Sequence, residues 1–243
     1  MAEDHAARDQ SALPKDSSPK ILVLVEQPPV AELIKLTLHH GAGVARNVSA
    51  PEAIAVLEEW KPDLAVLQVE VAGDEVLQRV TGATAAPAGI PVLGLTRHGD
   101  LKAKLAAFEK AMEDSITVPF SPEELLARVL VIERRHAKQP ILVPVVKIGG
   151  MELDILRRQV RLDEEDIHLT GMEQSLLYLF AANAGRVLSR NQIRDAIWGP
   201  DFVADSHIVD RQVLNLRVKL QNNYRRPRFI STIPKQGYLF SPA

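Results

Sequence analysis

The sequence predicts two consecutive domains: a five-stranded parallel α/β domain, then a smaller α+β domain made of short strands, three helices and a terminal hairpin. Three observations predict this. Through residues 20–135, continuous apolar runs alternate with amphipathic helical stretches, the pattern of a parallel sheet covered on both faces. From residue 147 onward the runs shorten and turn signals crowd together, before two capped helices and a third with one apolar stripe. Charge divides the same way. Residues 1–135 hold 14 basic and 20 acidic residues, net −6, whereas residues 136–243 hold 15 and 11, net +4. A basic second half is a candidate for meeting phosphates.

The 243 residues suffice for one large or two ordinary domains. The absence of cysteine excludes disulfides, thiolate metal sites and cysteine nucleophiles. No apolar run approaches the roughly 20 residues that span a bilayer, so no membrane partner is expected. The first 19 residues are polar without an apolar core segment. They are expected to form a disordered tail rather than a secretory signal, in a cytoplasmic protein.

In order along the chain, ILVLV (21–25) is the first strand. VAELIKLTLHH (30–40) follows as a helix with Val30, Leu33, Ile34 and Leu38 on one face. Residues 41–48 supply a turn and a weak strand. APEAIAVLEEW (50–60) is a helix with Pro51 in its first turn. LAVLQV (64–69) is the third strand, 74–81 a helix, IPVLGLT (90–96) the fourth strand, 100–110 a helix and SITV (115–118) the fifth strand. SPEELLARVLVIERR (121–135) opens with Ser at the N-cap, Pro at the first helical position and Glu in the first turn. Sites in such sheets form at the carboxyl ends of the strands, here Val25-Glu26-Gln27, Gln68, Thr96 and Val118-Pro119.

Residues 20–135 resemble the receiver domain of bacterial response regulators, on ILVLVEQP, KPDLAVLQ, PVLGLT and SITVPFSPEELLARV in order and spacing. The resemblance implies a flavodoxin-like sheet. It also implies a pocket in which an acidic pair and an Asp hold Mg²⁺, the Asp accepts a phosphoryl group, and a Thr or Ser and a Lys contact the phosphate. Carried over residue by residue, the acidic pair is Val25 and Glu26, the acceptor is Gln68, the Lys is Val118, and the switch aromatic of the fifth strand is Ser115. Thr96 stands in its expected place, and of three acidic positions one carboxylate, Glu26, is left. Mg²⁺ favours carboxylate oxygens, Gln forms no acyl phosphate, and no cation remains to offset an incoming phosphoryl group. The pocket is read as degenerate, with no metal and no cofactor. The plainer expectations are a solvated Glu26, a Thr96 hydrogen-bonded locally at its strand end, and a Gln68 making neutral hydrogen bonds.

A joint (136–146) leads to the second domain, 147–243. MEQSLLYLFAANAG (172–185) is a helix ended by Gly185. SRNQIRDAIWG (189–199) has a Ser N-cap with Gln192 in the capping-box position. In SHIVDRQVLNLRVKLQNN (206–223), Val209, Val213, Leu216 and Leu220 form the apolar stripe, with His207, Arg211, Gln212 and Asn215 around the other face and Arg217 and Lys219 at its edge. RPRFISTIPKQGYLF reads as a hairpin with its tip near 234–237. Arg reads guanine, and Asn or Gln reads adenine, in the major groove. Other cations, including Arg226 and Lys235, suit phosphates. The bland alternative is a solvated polar face, with Asp210 a structural partner of a neighbouring Arg.

The segment from 147 to 241 resembles the winged helix-turn-helix DNA-binding domain of the OmpR/PhoB family, on LTGMEQSLLYLFAANAGRVLSRNQIRDAIWG, VDRQVLNLRVKL and PRFISTIPKQGYLF. The resemblance implies that 206–221 is the recognition helix, that 199–205 is a loop able to face RNA polymerase, and that the hairpin tip enters the minor groove. Leu214 and Asn215 stand where the family is often basic, and Pro234-Lys235 where it usually has Arg-Gly.

The expected function is a sequence-specific DNA-binding transcription regulator, acting as a homodimer on tandem or inverted half-sites without aspartyl phosphorylation. The family dimerises through the fourth helix, fifth strand and fifth helix of the receiver, where Lys104, Lys110, Glu113, Asp114, Glu124 and Arg128 are candidates for inter-subunit ion pairs, or else ordinary surface charges. Three alternatives stay open: a ligand sensor using the emptied pocket, phosphorylation at Glu26, Glu70 or a hydroxyl, and a non-DNA adaptor. No nucleophile–base constellation argues for an enzyme.

Overall fold

The computed structural model describes residues 18–39, 42–82, 89–97, 112–136, 145–203, 207–220 and 225–242. The expected helix at 100–110, nearly all of the tail and most of the joint lie outside them.

The first domain is the expected five-stranded parallel sheet, in the order β2-β1-β3-β4-β5. Its strands are β1 (Lys20–Leu24), β2 (Val44–Asn47), β3 (Leu64–Gln68), β4 (Val92–Arg97) and β5 (Asp114–Val118). Its described helices are α1 (Pro28–His39), α2 (Ala50–Trp60), α3 (Val69–Thr81) and α4 (Pro122–His136). The strands are continuous apolar runs because both faces are covered. Leu22, Leu24, Ala65 and Leu67 pack under α2 and α3, while Ile21, Val23, Leu64 and Val66 pack on the face of α1 and α4. Ser49 caps α2 through a reciprocal box with Glu52. The expected helix start at Asp74 is corrected. Helical structure begins directly after β3 at Val69, and Gly73, at φ 68°, kinks it. Only a residue tolerant of positive φ joins the two helical pieces. Periodicity alone registers the piece after the kink.

The second domain opens with an antiparallel sheet of β6 (Val146–Ile148), β7 (Met151–Asp154), β8 (Gln159–Leu162) and β9 (Glu165–Ile167). Three helices follow, α5 (Gly171–Ala182), α6 (Arg190–Trp198) and α7 (Ile208–Lys219). Thr170 and Glu173 form a capping box at α5, which ends at Ala182 rather than running to Gly185. Asn183 is the C-cap, and its side chain also donates to Leu179 O at 2.9 Å. The hairpin is β11 (Ile230–Ile233) with β12 (Gly237–Phe240), and β10 (Val187–Leu188) adds a third strand on the β12 edge. Gly237 is required at that edge, since a Cβ there would lie 2.0 Å from Leu188 O.

One apolar cluster runs from the α1 face of the first domain into the second, through Leu177, Phe180 and Phe240. Asn183, itself 3% exposed, donates from Nδ2 to Pro29 O at 3.2 Å across the boundary. Arg158–Glu123 (3.1 Å) and Arg186–Glu32 (3.6 Å) pair across it at the rim. This contact brings the segment after α6 over the carboxyl ends of the parallel strands.

Candidate functional site: a strand-end cavity and an exposed helix face

Parallel register gathers the pocket residues. Gln68 lies beside Leu95, Thr96 beside Thr117, and Arg97 beside Val118. Val25, Gln68, Thr96 and Val118 together line one cavity of about 450 Å³. Glu26 and Ser115 do not line it. Glu26 is exposed, and its backbone N–H donates to Gln68 Oε1 at 3.3 Å. Ser115 sits lower on β5, where its N–H donates to Asp114 Oδ1 at 2.7 Å. Gln68 therefore makes the neutral bond expected of it. Thr96 does not. It is 1% exposed and its Oγ1 has no hydrogen-bond partner among the described residues.

The far wall of the cavity is Trp198, Gly199, Pro200, Asp201 and Phe202. The indole of Trp198 stacks on Phe202 at 5.8 Å and 17°. Residues 199–203 are the described part of the loop expected to face RNA polymerase. Here the loop faces the first domain, an arrangement the sequence alone did not predict. The pocket and this segment close one space.

The helix α7 presents its stripe inward, with Val209, Val213 and Leu216 at most 3% exposed. His207, Arg211 and Asn215 are exposed and Gln212 is half-buried. Between them stand two large apolar side chains, Leu214 at 58% and Val218 at 71% exposure. Val218 was missed in the sequence. Its signal was its spacing, four residues after Leu214, on the face that should be polar. Arg217 and Lys219 are not free on this face. Arg217 Nε and Nη2 donate to Ile230 O at 3.2 and 3.0 Å, Nη2 also donates to Thr232 Oγ1 at 2.8 Å, and the guanidinium lies over the Tyr238 ring. Burial lowers its pKa. Lys219 Nζ donates to Glu173 Oε2 at 2.6 Å. Burial works to raise the Glu173 carboxyl, but the bonds from Lys219 and Thr170 outweigh it and hold the pKa below the ordinary value.

The hairpin is tied to the helices by charge. Arg190 Nε and the Tyr238 hydroxyl both donate to Asp210 Oδ1, at 2.7 and 2.5 Å. Burial raises the Asp210 carboxyl, yet these two donors and the Arg190 charge more than compensate and its pKa is lowered. Burial, reinforced by Asp210, pushes the Tyr238 hydroxyl to about 12. Arg226 is exposed, and Lys235 stands exposed at the hairpin tip with φ 61°. α7 and the tip are thus held at a fixed relative position, with cations and hydrogen-bonding groups outward.

The surface of β5 and α4 is also paired within the chain. Arg128 bonds Asp114 (2.7 Å) and Glu124 (3.0 Å), and Glu113 pairs with His136 (3.0 Å) and Arg135 (3.7 Å). Lys104 and Lys110 lie outside the described residues. Val131 is 45% exposed on the same helix.

A family model described as "Transcriptional regulatory protein, C terminal" matches residues 163–240. A probable transcriptional regulator ycf27 of Cyanophora paradoxa is 34% identical over 233 residues, spanning 91% of this chain and 95% of that protein. The DNA-binding response regulator MtrA of Mycolicibacterium smegmatis is 29% identical over 224 residues, 92% of this chain and 97% of that protein. The response regulator DrrB of Thermotoga maritima, described as an OmpR/PhoB homologue, aligns over 92% of this chain and 99% of its own at 25% identity. The TM-score of that alignment is 0.43.

Proposed function

We infer the mode of action from one premise: the chain belongs to the OmpR/PhoB family of DNA-binding transcriptional response regulators. We propose that this member regulates transcription as a homodimer and without aspartyl phosphorylation. The observation that carries the proposal is Gln68. It ends β3 in the acceptor's place, and its amide oxygen is already used by the Glu26 N–H. Val118, in place of the Lys, supplies no charge for a phosphoryl group. A carboxamide is no nucleophile toward phosphorus at neutral pH, and phosphoryl transfer depends on preorganised charge stabilisation, whereas the cation on this lining, Arg97, is exposed.

In this reading α7 enters the major groove with His207, Arg211, Gln212 and Asn215 toward base edges. Leu214 and Val218 suit the methyl groups of thymine. Lys235 and Arg226 meet phosphates. Arg217 and Lys219 act from behind, holding the helix to the hairpin and to α5. The dimer uses the β5–α4 surface, where exposed Val131 supplies apolar contact and the ion pairs of Glu113, Asp114, Glu124 and Arg128 sit at the rim, each worth at most about 1 kcal/mol. Half-sites lie in tandem or inverted about one helical turn apart. The loop 199–205 contacts RNA polymerase once it leaves the first domain.

Sedimentation equilibrium on the unmodified chain, with and without Mg²⁺ and beryllofluoride, tests this. The expected result is the same dimer in both. A monomer that dimerises only with the mimic sinks the proposal. Val131→Asp should weaken the dimer by about tenfold or more. Unchanged association would move the interface elsewhere.

A further inference from the structure

We propose that the cavity between the strand ends of the first domain and the segment after α6 binds a small, neutral, aromatic molecule carrying a hydrogen-bonding group. Its occupancy governs how firmly residues 199–203 hold to the first domain. The inference deepens the phosphorylation-independent reading and rests on it. With no phosphoryl group to receive, the old pocket is available to another ligand.

Four features of the cavity fix the class of ligand. The first is size. About 450 Å³ falls inside the roughly 300–1,000 Å³ typical of small-molecule sites. The second is the character of the walls. Val25, Val30, Leu95 and Val118 form one side, and the stacked Trp198–Phe202 pair stands on the other. Aromatic faces of this kind favour a flat apolar guest. The third is an unmet polar group. Thr96 is on the lining, almost wholly buried, and its hydroxyl has no partner. An unsatisfied buried hydroxyl is destabilising; its oxygen is closed to water where it stands, so a guest's hydroxyl or carbonyl meets it when the Thr96 side chain turns toward the cavity. Gln68, also on the lining, has only its oxygen engaged, and its amide nitrogen has no partner among the described residues. The fourth is charge. The ionised residues of the lining are Glu70, Arg97 and Asp201, all exposed and two of the three acidic. Nothing buried balances an anion, so a neutral guest is preferred over a phosphate or a carboxylate.

The walls come from both domains. A guest touching Val118 and Phe202 at once is bound only while they face each other, so its binding and their contact are thermodynamically linked. Filling the cavity stabilises the segment after α6 against the first domain and withholds it from any other partner. Emptying it does the reverse.

The test uses the full chain and three neutral probes, 1-naphthol, indole and benzamide, each titrated by calorimetry. Hydrogen exchange of the amides of 199–203 is followed in parallel. Saturable binding of 1-naphthol is expected with Kd on the order of 0.1–1 mM, as suits a fragment of this size, together with slower exchange in 199–203. Val118→Phe should fill the space and abolish binding. Thr96→Val keeps the shape and should weaken 1-naphthol by about tenfold. Because Val118→Phe adds bulk, Thr96→Val is the control for folding, and both are checked by thermal melting. Failure of all three probes, or binding indifferent to both substitutions, overturns the proposal. Beryllofluoride with Mg²⁺ is titrated in a separate arm. If only it binds, the phosphorylation-independent reading falls as well. If nothing binds, that reading survives and the ligand site alone is lost.

Discussion

The two domains treat buried polar groups differently. In the second, each buried polar side chain among the described residues is satisfied. Glu173 holds Lys219 and the Thr170 N–H, Gln174 donates to the Tyr178 hydroxyl at 2.7 Å, and Asn183 bonds Leu179 O and Pro29 O. In the first, Thr37 donates to Leu33 O at 2.8 Å, but Thr96 Oγ1 and both oxygens of Glu133 are buried with no partner among the described residues. The difference follows from what each domain must hold in place. A reading helix and a hairpin tip must meet a groove together, and hydrogen bonds with direction fix that geometry. A parallel sheet with apolar strands on both faces folds on burial alone, and on the proposed phosphorylation-independent reading no charge in its pocket has to be matched.

The largest expected effect sharpens this contrast at Glu133. The side chain is 5% exposed, on α4, and Asp63 is the charge that faces it. Burial, then Asp63, raises its pKa from 4.5 to about 8. The folded state therefore holds a proton that the unfolded state releases above pH 4.5. Native stability should be highest for this group below pH 4.5 and fall as pH rises toward 8, at up to about 1.4 kcal/mol per pH unit. Glu133→Gln cannot ionise, so it should exceed the native chain by about 2–4 kcal/mol at pH 8.5 and by little at pH 5. Urea unfolding at both values measures it. A difference that does not depend on pH would mean that Glu133 is ionised and solvated in the fold, and the contrast between the domains would lose its main support.

What the sequence made legible follows the same division. Burial-driven features could be read from it. The strand runs gave the parallel sheet, and local caps gave helix starts, since Ser121 and Ser189 meet partners within three residues. Features set by distant partners could not. Arg217 and Lys219 look like free cations at a helix edge, yet their partners lie 13 and 46 residues away. The kink at Gly73 hid a helical turn because period-based reading needs an unbroken phase. The two-residue β10 is shorter than any pattern. The cavity needed both domains to exist, and no run of sequence encodes its far wall.

The second prediction tests the wired side. Glu173 is 5% exposed and completes both a helix cap and a pair with Lys219. Glu173→Ala should lose about 2–3 kcal/mol, from a broken capping box and an ammonium left without its partner. The depressed carboxyl pKa has its own sign. This contribution is present above the unfolded pKa of 4.5 and is lost as pH falls through the lower folded value. A thermal melt of the variant that matches the native chain at neutral pH would show that the second domain does not depend on the pairing.

The smallest effect returns to the emptied pocket. Thr96→Val replaces an unpartnered hydroxyl with a methyl of similar volume, at a site where Oγ1 is sealed from water. Elsewhere this substitution is destabilising because a hydrogen bond is broken. Here none is broken, and the desolvated hydroxyl is removed, so the variant should gain about 1 kcal/mol in urea unfolding. On the phosphorylation-independent reading, the gain should persist in the presence of beryllofluoride and Mg²⁺. In a pocket still used for phosphoryl transfer, the same hydroxyl would bond the bound phosphate, and losing it would weaken the liganded form. A stabilised variant in both conditions therefore separates a discarded hydroxyl from a working one. A destabilised variant would show that Thr96 has a partner in solution, and would erase the distinction between the two domains at the residue where it is clearest.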